Sequence, residues 1–250
     1  MTSNKSVLIL QLRVEDATSD SEYACILKYG GLQVEDTCRM RIEKSGIPDG
    51  LNPNDYAAII VGGSPFDIST PQDKKSEIQK KIETDFNKFF AQVVTHDIPF
   101  LGACSGNGLL GNYLGASISK TYSEPVSCVT VDITEEGKQD KLLKDFPEHI
   151  DVLVGHKEAV DTTPDGATLL VTGRNCPVQM FRVGQNVYAT QFHPEGDAED
   201  FILRIDTYRN HGYFEPHEAD DLKKNVSSRP TPYAQEVLRR FVDNYYFCGN

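Results

Sequence analysis

Three residues of the 250-residue chain have the types and neighbours for nucleophilic chemistry: Cys104, His193 and Glu195. Cys104 stands in Gly102-Ala103-Cys104-Ser105-Gly106, where the apolar run Ile98 to Ala103 meets an apolar helical pattern, Asn107 to Leu114. Glycine two residues to either side of a nucleophile is what a tight strand-to-helix turn requires. Such a turn exposes the sulfur at the carboxyl edge of a sheet. The following helix points its N-terminus at it, which favours thiolate and offers N–H groups to an oxyanion.

His193 and Glu195 lie in the segment VYATQFHPEG, residues 187–196. A strand is expected to deliver His193 to the same sheet edge as Cys104. Pro194 fixes its own φ and biases His193 toward extended backbone. Glu195, two residues on, then projects to the side of His193. The carboxylate can orient one ring nitrogen while the other faces the thiol, which is the logic of a nucleophile, a base and an orienting acid. The loop Gly62-Gly63-Ser64-Pro65 follows the apolar run Tyr56 to Val61 and shares the crevice at the strand ends.

Two other chemistries compete for these residues. Gly106-x-Gly108-x-x-Gly111, with Asp132 further on, fits a dinucleotide fingerprint. That motif belongs on the first strand-to-helix turn, whereas these glycines begin inside a later helix. His156-x-Glu158 and His193-x-Glu195 could supply four metal ligands, but no one helix or strand gathers them. Neither a metal nor another cofactor is expected.

The elements that must position the three residues alternate along the chain. Apolar runs at Val7 to Leu12, Leu32 to Ile42, Tyr56 to Val61 and Ile98 to Ala103 read as buried strands. Helices are expected at Ser21 to Tyr29 and Lys74 to Val94, the latter with Ile82, Phe86, Phe89, Phe90 and Val93 on one face. Further β-like runs at 126–133, 168–171, 178–183 and 187–192 have short connections and predict antiparallel additions. Helices follow Gly196 and start again at Thr231-Pro232, with the polar stretch Pro216 to Pro232 between them as an excursion. The expected class is α/β: a flavodoxin-like three-layer sandwich with a central, mostly parallel sheet, added antiparallel strands, and the nucleophile turn at its carboxyl edge.

Charge excludes other classes. With 25 basic against 37 acidic residues, net −12, the chain lacks the basic face that nucleic acid or anionic membrane would bind. No apolar run approaches the roughly 18 residues of a membrane span. Six scattered cysteines without a C-x-x-C pair fit reduced thiols, so a cytoplasmic location is expected.

Three features in order, GGSP at 62–65, GACSG at 102–106 and QFHPE at 191–195, resemble the class I, or triad, glutamine amidotransferases. The stretch 152–195 is similar to the amidotransferase part of GMP synthases. The resemblance covers about residues 5–205 and implies an amidotransferase domain over 1–205, with 206–250 a helical extension packed on it. It implies that Cys104, His193 and Glu195 form a Cys-His-Glu triad that hydrolyses the glutamine side-chain amide. The backbone N–H groups of Gly63 and Ser105 would hold the oxyanion, and Gly62, Gly108 and His156 would contact the substrate. Ammonia would pass to a separate synthase chain, since no synthase motif is present here. One position departs from the family: Gly108 stands where a substrate-holding glutamine is usual. That departure leaves a cysteine hydrolase of another γ-glutamyl compound or peptide as an alternative, and a non-catalytic regulatory protein as a third.

Overall fold

Residues 5–210 and 214–248 are described in a computed structural model. In chain order the elements are β1 (Val7–Gln11), α1 (Asp16–Gly30), β2 (Thr37–Arg41), β3 (Ala58–Val61), α2 (Glu77–Thr95), β4 (Phe100–Ala103), α3 (Ser105–Tyr113), β5 (Ile118–Ser119), β6 (Glu124–Ile133), α4 (Glu135–Lys138), β7 (His149–His156), β8 (Ala159–Val160), β9 (Ala167–Gly173), β10 (Met180–Val183), β11 (Val187–Thr190), α5 (Ala198–Tyr208), α6 (Ala219–Val226) and α7 (Pro232–Val242).

Strand β1 shows why the molecule has three layers. Its side chains alternate, as extended backbone requires. Val7 and Ile9 enter one apolar cluster with Ile26 of α1 and Leu238 and Phe241 of α7. Leu8 and Leu10 enter another with Phe86 and Phe90 of α2 and Leu110 of α3. Both faces of the sheet are therefore covered by helices, and the strand reads as continuously apolar. Helix α2 begins where the Ser76 side chain accepts the Gln79 N–H at 3.2 Å. Helix α7 carries proline in its first turn, where no N–H is missed.

Nine strands form one sheet in the order β2-β1-β3-β4-β11-β10-β9-β6-β7. From β2 to β11 the pairs are parallel; β10, β9, β6 and β7 join antiparallel. This is the mostly parallel sheet with antiparallel additions that the pattern predicts. The parallel register of β11 against β4 sets Thr190 beside Ala103. It thereby brings the chain leading to His193 next to the Cys104 turn.

Some boundaries differ from the sequence pattern. Helix α1 begins at Asp16, ahead of Ser21, because buried Thr18, Ser19 and Glu22 on its inner face hide the apolar period. The run from Leu32 opens with a 3-10 turn, Val34–Asp36, and becomes strand only at Thr37. Strand β7 has no counterpart in the predicted elements. It is an edge strand held by β6 alone, in a register that pairs Val129 with Val152. The expected excursion between Pro216 and Pro232 contains α6, which buries Ala219 and Val226 against Phe201 and Ile205 of α5. Residues 211–213 and 249–250 of the expected extension lie outside the described residues.

Candidate active site

Each glycine flanking Cys104 permits a close approach: a Cβ on Gly106 would lie 3.3 Å from the Val61 carbonyl oxygen. A Cβ on Gly102 would fall 2.8 Å from the Gly106 carbonyl carbon, so strand and helix can approach only without side chains there. Cys104 between them adopts φ 51° and ψ −93°. A non-glycine residue in that region stores roughly 1–3 kcal/mol and persists only when its surroundings hold it. The holding contacts are its N–H, donated to the Thr190 carbonyl at 2.7 Å, and its own carbonyl, which accepts the Gly108 N–H at 3.1 Å.

Beyond β11 the chain bends, and the His193 N–H donates to the Leu153 carbonyl of β7 at 3.0 Å. His193 Nδ1 donates to Glu195 Oε1 at 2.6 Å, with both side chains 2% exposed. The other nitrogen, Nε2, is then left for a partner on the cavity that His193 and Cys104 both border. Phe201 packs edge-on against the imidazole, ring centroids 5.3 Å apart. The structure thus brings Cys104, His193 and Glu195 together.

Electrostatics of the cluster involve residues that no sequence motif marks. Arg204 of α5 donates from Nη2 to Glu195 Oε1 at 3.2 Å and pairs with Asp200 at 2.6 Å. The only sequence trace of Arg204 is its i, i+4 spacing from Asp200 on a helix. Burial opposes charge on His193, but the neighbouring Glu195 carboxylate, with a smaller contribution from Cys104, outweighs it and lifts the imidazole to about 9. Arg204 pulls it the other way. Burial also opposes the Glu195 carboxylate, yet His193 and Arg204 hold its pKa well below the usual range.

The loop after β3 is tied to a buried acid. Gly63 N–H, expected to be open to an oxyanion, donates to Glu22 Oε2 at 3.2 Å. Glu22, fully buried, also accepts from Arg13 Nε at 3.0 Å and Gln11 Nε2 at 3.1 Å. Gly62 packs against the same acid. A Cβ there would strike the Glu22 carboxylate, and the residue lines neither cavity at Cys104. Ser105 begins α3, and its hydroxyl accepts the Ser64 N–H at 2.8 Å, tying the loop to the nucleophile helix.

Two small cavities flank the thiol, each of about 40 Å³. Cys104, Ser105, Gly108, His156 and Gln191 border one. Cys104, His193, Arg13, Phe201 and Tyr208 border the other. Gly108 and His156 thus border a cavity with Cys104. Both His156 nitrogens are engaged, however: Nδ1 with the Glu158 carbonyl at 3.0 Å and Nε2 with Glu124 Oε2 at 3.1 Å. The four-ligand metal set His156, Glu158, His193 and Glu195 is not assembled, because His193 pairs with Glu195 whereas His156 Nε2 faces Glu124.

Fold and site together define an α/β protein with a cysteine on a strand-to-helix turn beside a paired histidine and glutamate. Residues 36–205 match the family model described as glutamine amidotransferase class-I, and the chain belongs to that family. A glutamine-hydrolyzing GMP synthase subunit from Sulfurisphaera tokodaii is 30% identical over 142 residues, covering 56% of this chain and 68% of that one. The protein of the same description from Sulfolobus acidocaldarius is 26% identical over 172 residues, covering 67% and 84%. A glutamine-hydrolyzing GMP synthase of Wolbachia pipientis is 31% identical over 100 residues; the match covers 39% of this chain and only 19% of that longer protein. Among solved structures, a glutamine amidotransferase from Thermotoga maritima superposes with a TM-score of 0.71 at 19% identity, covering 96% of this chain and 98% of that one. That likeness shows the fold. No described helix is long and apolar enough to cross a membrane.

Proposed function

We propose that this chain hydrolyses the side-chain amide of glutamine and supplies the ammonia to a separate synthase chain in the cytoplasm. In this reading residues 1–205 carry the activity and 206–250 are an extension of the same domain. The observation that carries it is Cys104 on its strained turn, bordering one cavity with His193, whose Nδ1 is fixed by Glu195 at 2.6 Å. With the thiol proton already on His193 Nε2, the sulfur attacks the carboxamide carbon. The oxyanion meets the Ser105 N–H at the start of α3, and the Gly63 N–H once it leaves Glu22. The C–N bond breaks as His193 returns the proton to departing ammonia. Water, deprotonated by His193, then cleaves the γ-glutamyl thioester to glutamate and free thiol.

The partner follows from the relatives described as GMP synthase subunits, because such a chain implies another that completes the synthase.

The test is glutamate release from glutamine by the purified chain. Cys104→Ala should abolish it, and a glutamine-like diazo ketone should alkylate Cys104. Release that survives the substitution would overturn the mechanism. A thiol that reacts with iodoacetamide yet ignores the glutamine analogue would overturn the substrate.

A further inference from the structure

A second cluster of metal-binding residue types lies beside the cavity bordered by Gly108 and His156. Glu124 starts β6, His156 ends β7, and Cys176 lies in the loop between β9 and β10. One ligand atom from each comes within 4.8 Å of the others, and all three residues are buried. We propose that Glu124, His156 and Cys176 form a zinc site.

Hydrogen bonding at His156 assigns its donor and acceptor. Nδ1 faces the Glu158 carbonyl, which can only accept, so Nδ1 carries the proton. That leaves the bare Nε2 lone pair aimed at a carboxylate oxygen of Glu124, 3.1 Å away. Two acceptors at this distance need a cation or an additional proton between them. A ring N–H anchored to a backbone carbonyl is also how metal-bound histidines are usually oriented.

Gln179 supplies an independent sign. Its Nε2 donates to Glu124 Oε2 at 2.7 Å, which places the amide at the cluster. The other amide atom, Oε1, is buried in a fully buried side chain without a hydrogen-bond partner. A cation among Glu124, His156 and Cys176 would give that oxygen something to face, directly or through a bound water.

The donor set selects the ion. One imidazole, one thiol and one carboxylate suit zinc rather than magnesium or calcium, which prefer oxygen alone. Zinc bonds of about 2.0–2.3 Å require the three ligands to close in by roughly an ångström. Binding would release the thiol proton and replace any proton held between His156 and Glu124. An entry path exists, since Glu124 and His156 also border an open groove of about 360 Å³ with Lys120 and Ser123. The site would brace the catalytic cleft. His156 is tied to Glu158, whose carboxylate accepts the N–H groups of Ile68 and Ser69 in the loop beside the Cys104 cavity.

The test uses the full chain, stripped with a chelator and titrated with Zn²⁺ against a chromophoric competitor, and loaded separately with Co²⁺. One equivalent of zinc should bind, and the cobalt form should show thiolate-to-metal charge-transfer absorption. Cys176→Ser should remove that absorption and weaken zinc binding by about 100-fold or more, whereas Cys104→Ser should change neither. Glu124→Gln keeps the side-chain shape and should weaken zinc at least about 10-fold, which guards against a Cys176 variant that does not fold. No charge-transfer absorption, or absorption lost in Cys104→Ser and retained in Cys176→Ser, would overturn the site. So would a folded Glu124→Gln with wild-type zinc affinity.

Discussion

Gly63 donates its backbone N–H to the carboxylate of Glu22, 3.2 Å away on the first helix. Glu22 has a second tie to the loop, because its carboxylate occupies the space a Gly62 side chain would need. The glycine pair after β3 therefore serves the packing of a buried acid in this state. Arg13 and His193 also crowd Gly63: a Cβ there would collide with the Arg13 guanidinium and lie 3.0 Å from His193 Cε1. In the proposed mechanism, Gly63 would serve the oxyanion only after leaving Glu22.

Glu22→Gln tests how much this acid holds. The substitution keeps the shape but leaves the buried Arg13 guanidinium without its carboxylate. Breaking a buried ion pair from one side costs about 3–5 kcal/mol. Urea unfolding should show a loss in that range with an unchanged slope. A loss under about 1 kcal/mol would mean that Arg204, 3.8 Å from the same oxygen, and Arg13 are satisfied elsewhere.

Glu195→Gln should separate orientation from charge at His193. The amide can still touch Nδ1, but the charge that raises His193 toward about 9 is gone. Turnover should fall by roughly 10²- to 10⁴-fold. The residual activity should lose its alkaline limb near 9 and decline at lower pH, since the acid that protonates ammonia deprotonates earlier. A kcat–pH profile checks this; an unmoved limb would assign the titration to another group.

How far the site was legible in the sequence depends on what each residue needs around it. Gly102, Cys104 and Gly106 are readable because a tight turn forces glycines at fixed spacing. His193 and Glu195 are readable because Pro194 stiffens a local pair. Glu22, Arg13 and Arg204 reach the site from β1–α1 and α5, and only tertiary packing brings them within hydrogen-bond distance. The same limit applies to the fold. Strand β1 and helix α2 announce themselves through their apolar periods. Strand β7 depends on pairing with β6 alone, and α1 hides its start behind buried polar side chains.

Stability should carry the signature of His193. Its pKa is raised from 6.5 to about 9 on folding, so the folded state binds the extra proton between those values. The contribution is fully present below 6.5 and is lost as pH rises through 9. The gap corresponds to about 3 kcal/mol at most. The stability difference between wild type and His193→Gln, followed by urea unfolding, should shrink across that window. A difference that grows with pH would reverse the assignment.

Asn107, just after the nucleophile turn, is fully buried with neither side-chain polar atom hydrogen-bonded. Replacing an unsatisfied buried amide by an apolar group of similar size removes a penalty of about 1–3 kcal/mol. Asn107→Leu should raise the urea midpoint accordingly. If turnover falls at the same time, the amide is retained for the reaction. A lowered midpoint would mean that the amide is satisfied after all.

Gly108→Gln tests whether the missing family side chain matters. The position lies inside α3, and a Cβ there would meet only Ile68 Cγ1, at an ordinary 3.6 Å. Space therefore permits a side chain, and glycine in a helix interior costs roughly 0.5–1 kcal/mol relative to alanine. Both Gly108→Ala and Gly108→Gln should be at least as stable as wild type. Only the glutamine variant regains an amide able to reach the substrate cavity. One net hydrogen bond of about 0.5–1.5 kcal/mol corresponds to roughly a 2- to 10-fold lower KM for glutamine, with kcat little changed because the contact exists before and during reaction. Gly108→Ala should leave KM where it is. If Gly108→Gln instead raises KM while the alanine variant does not, the cleft needs that space for a substrate bulkier than glutamine.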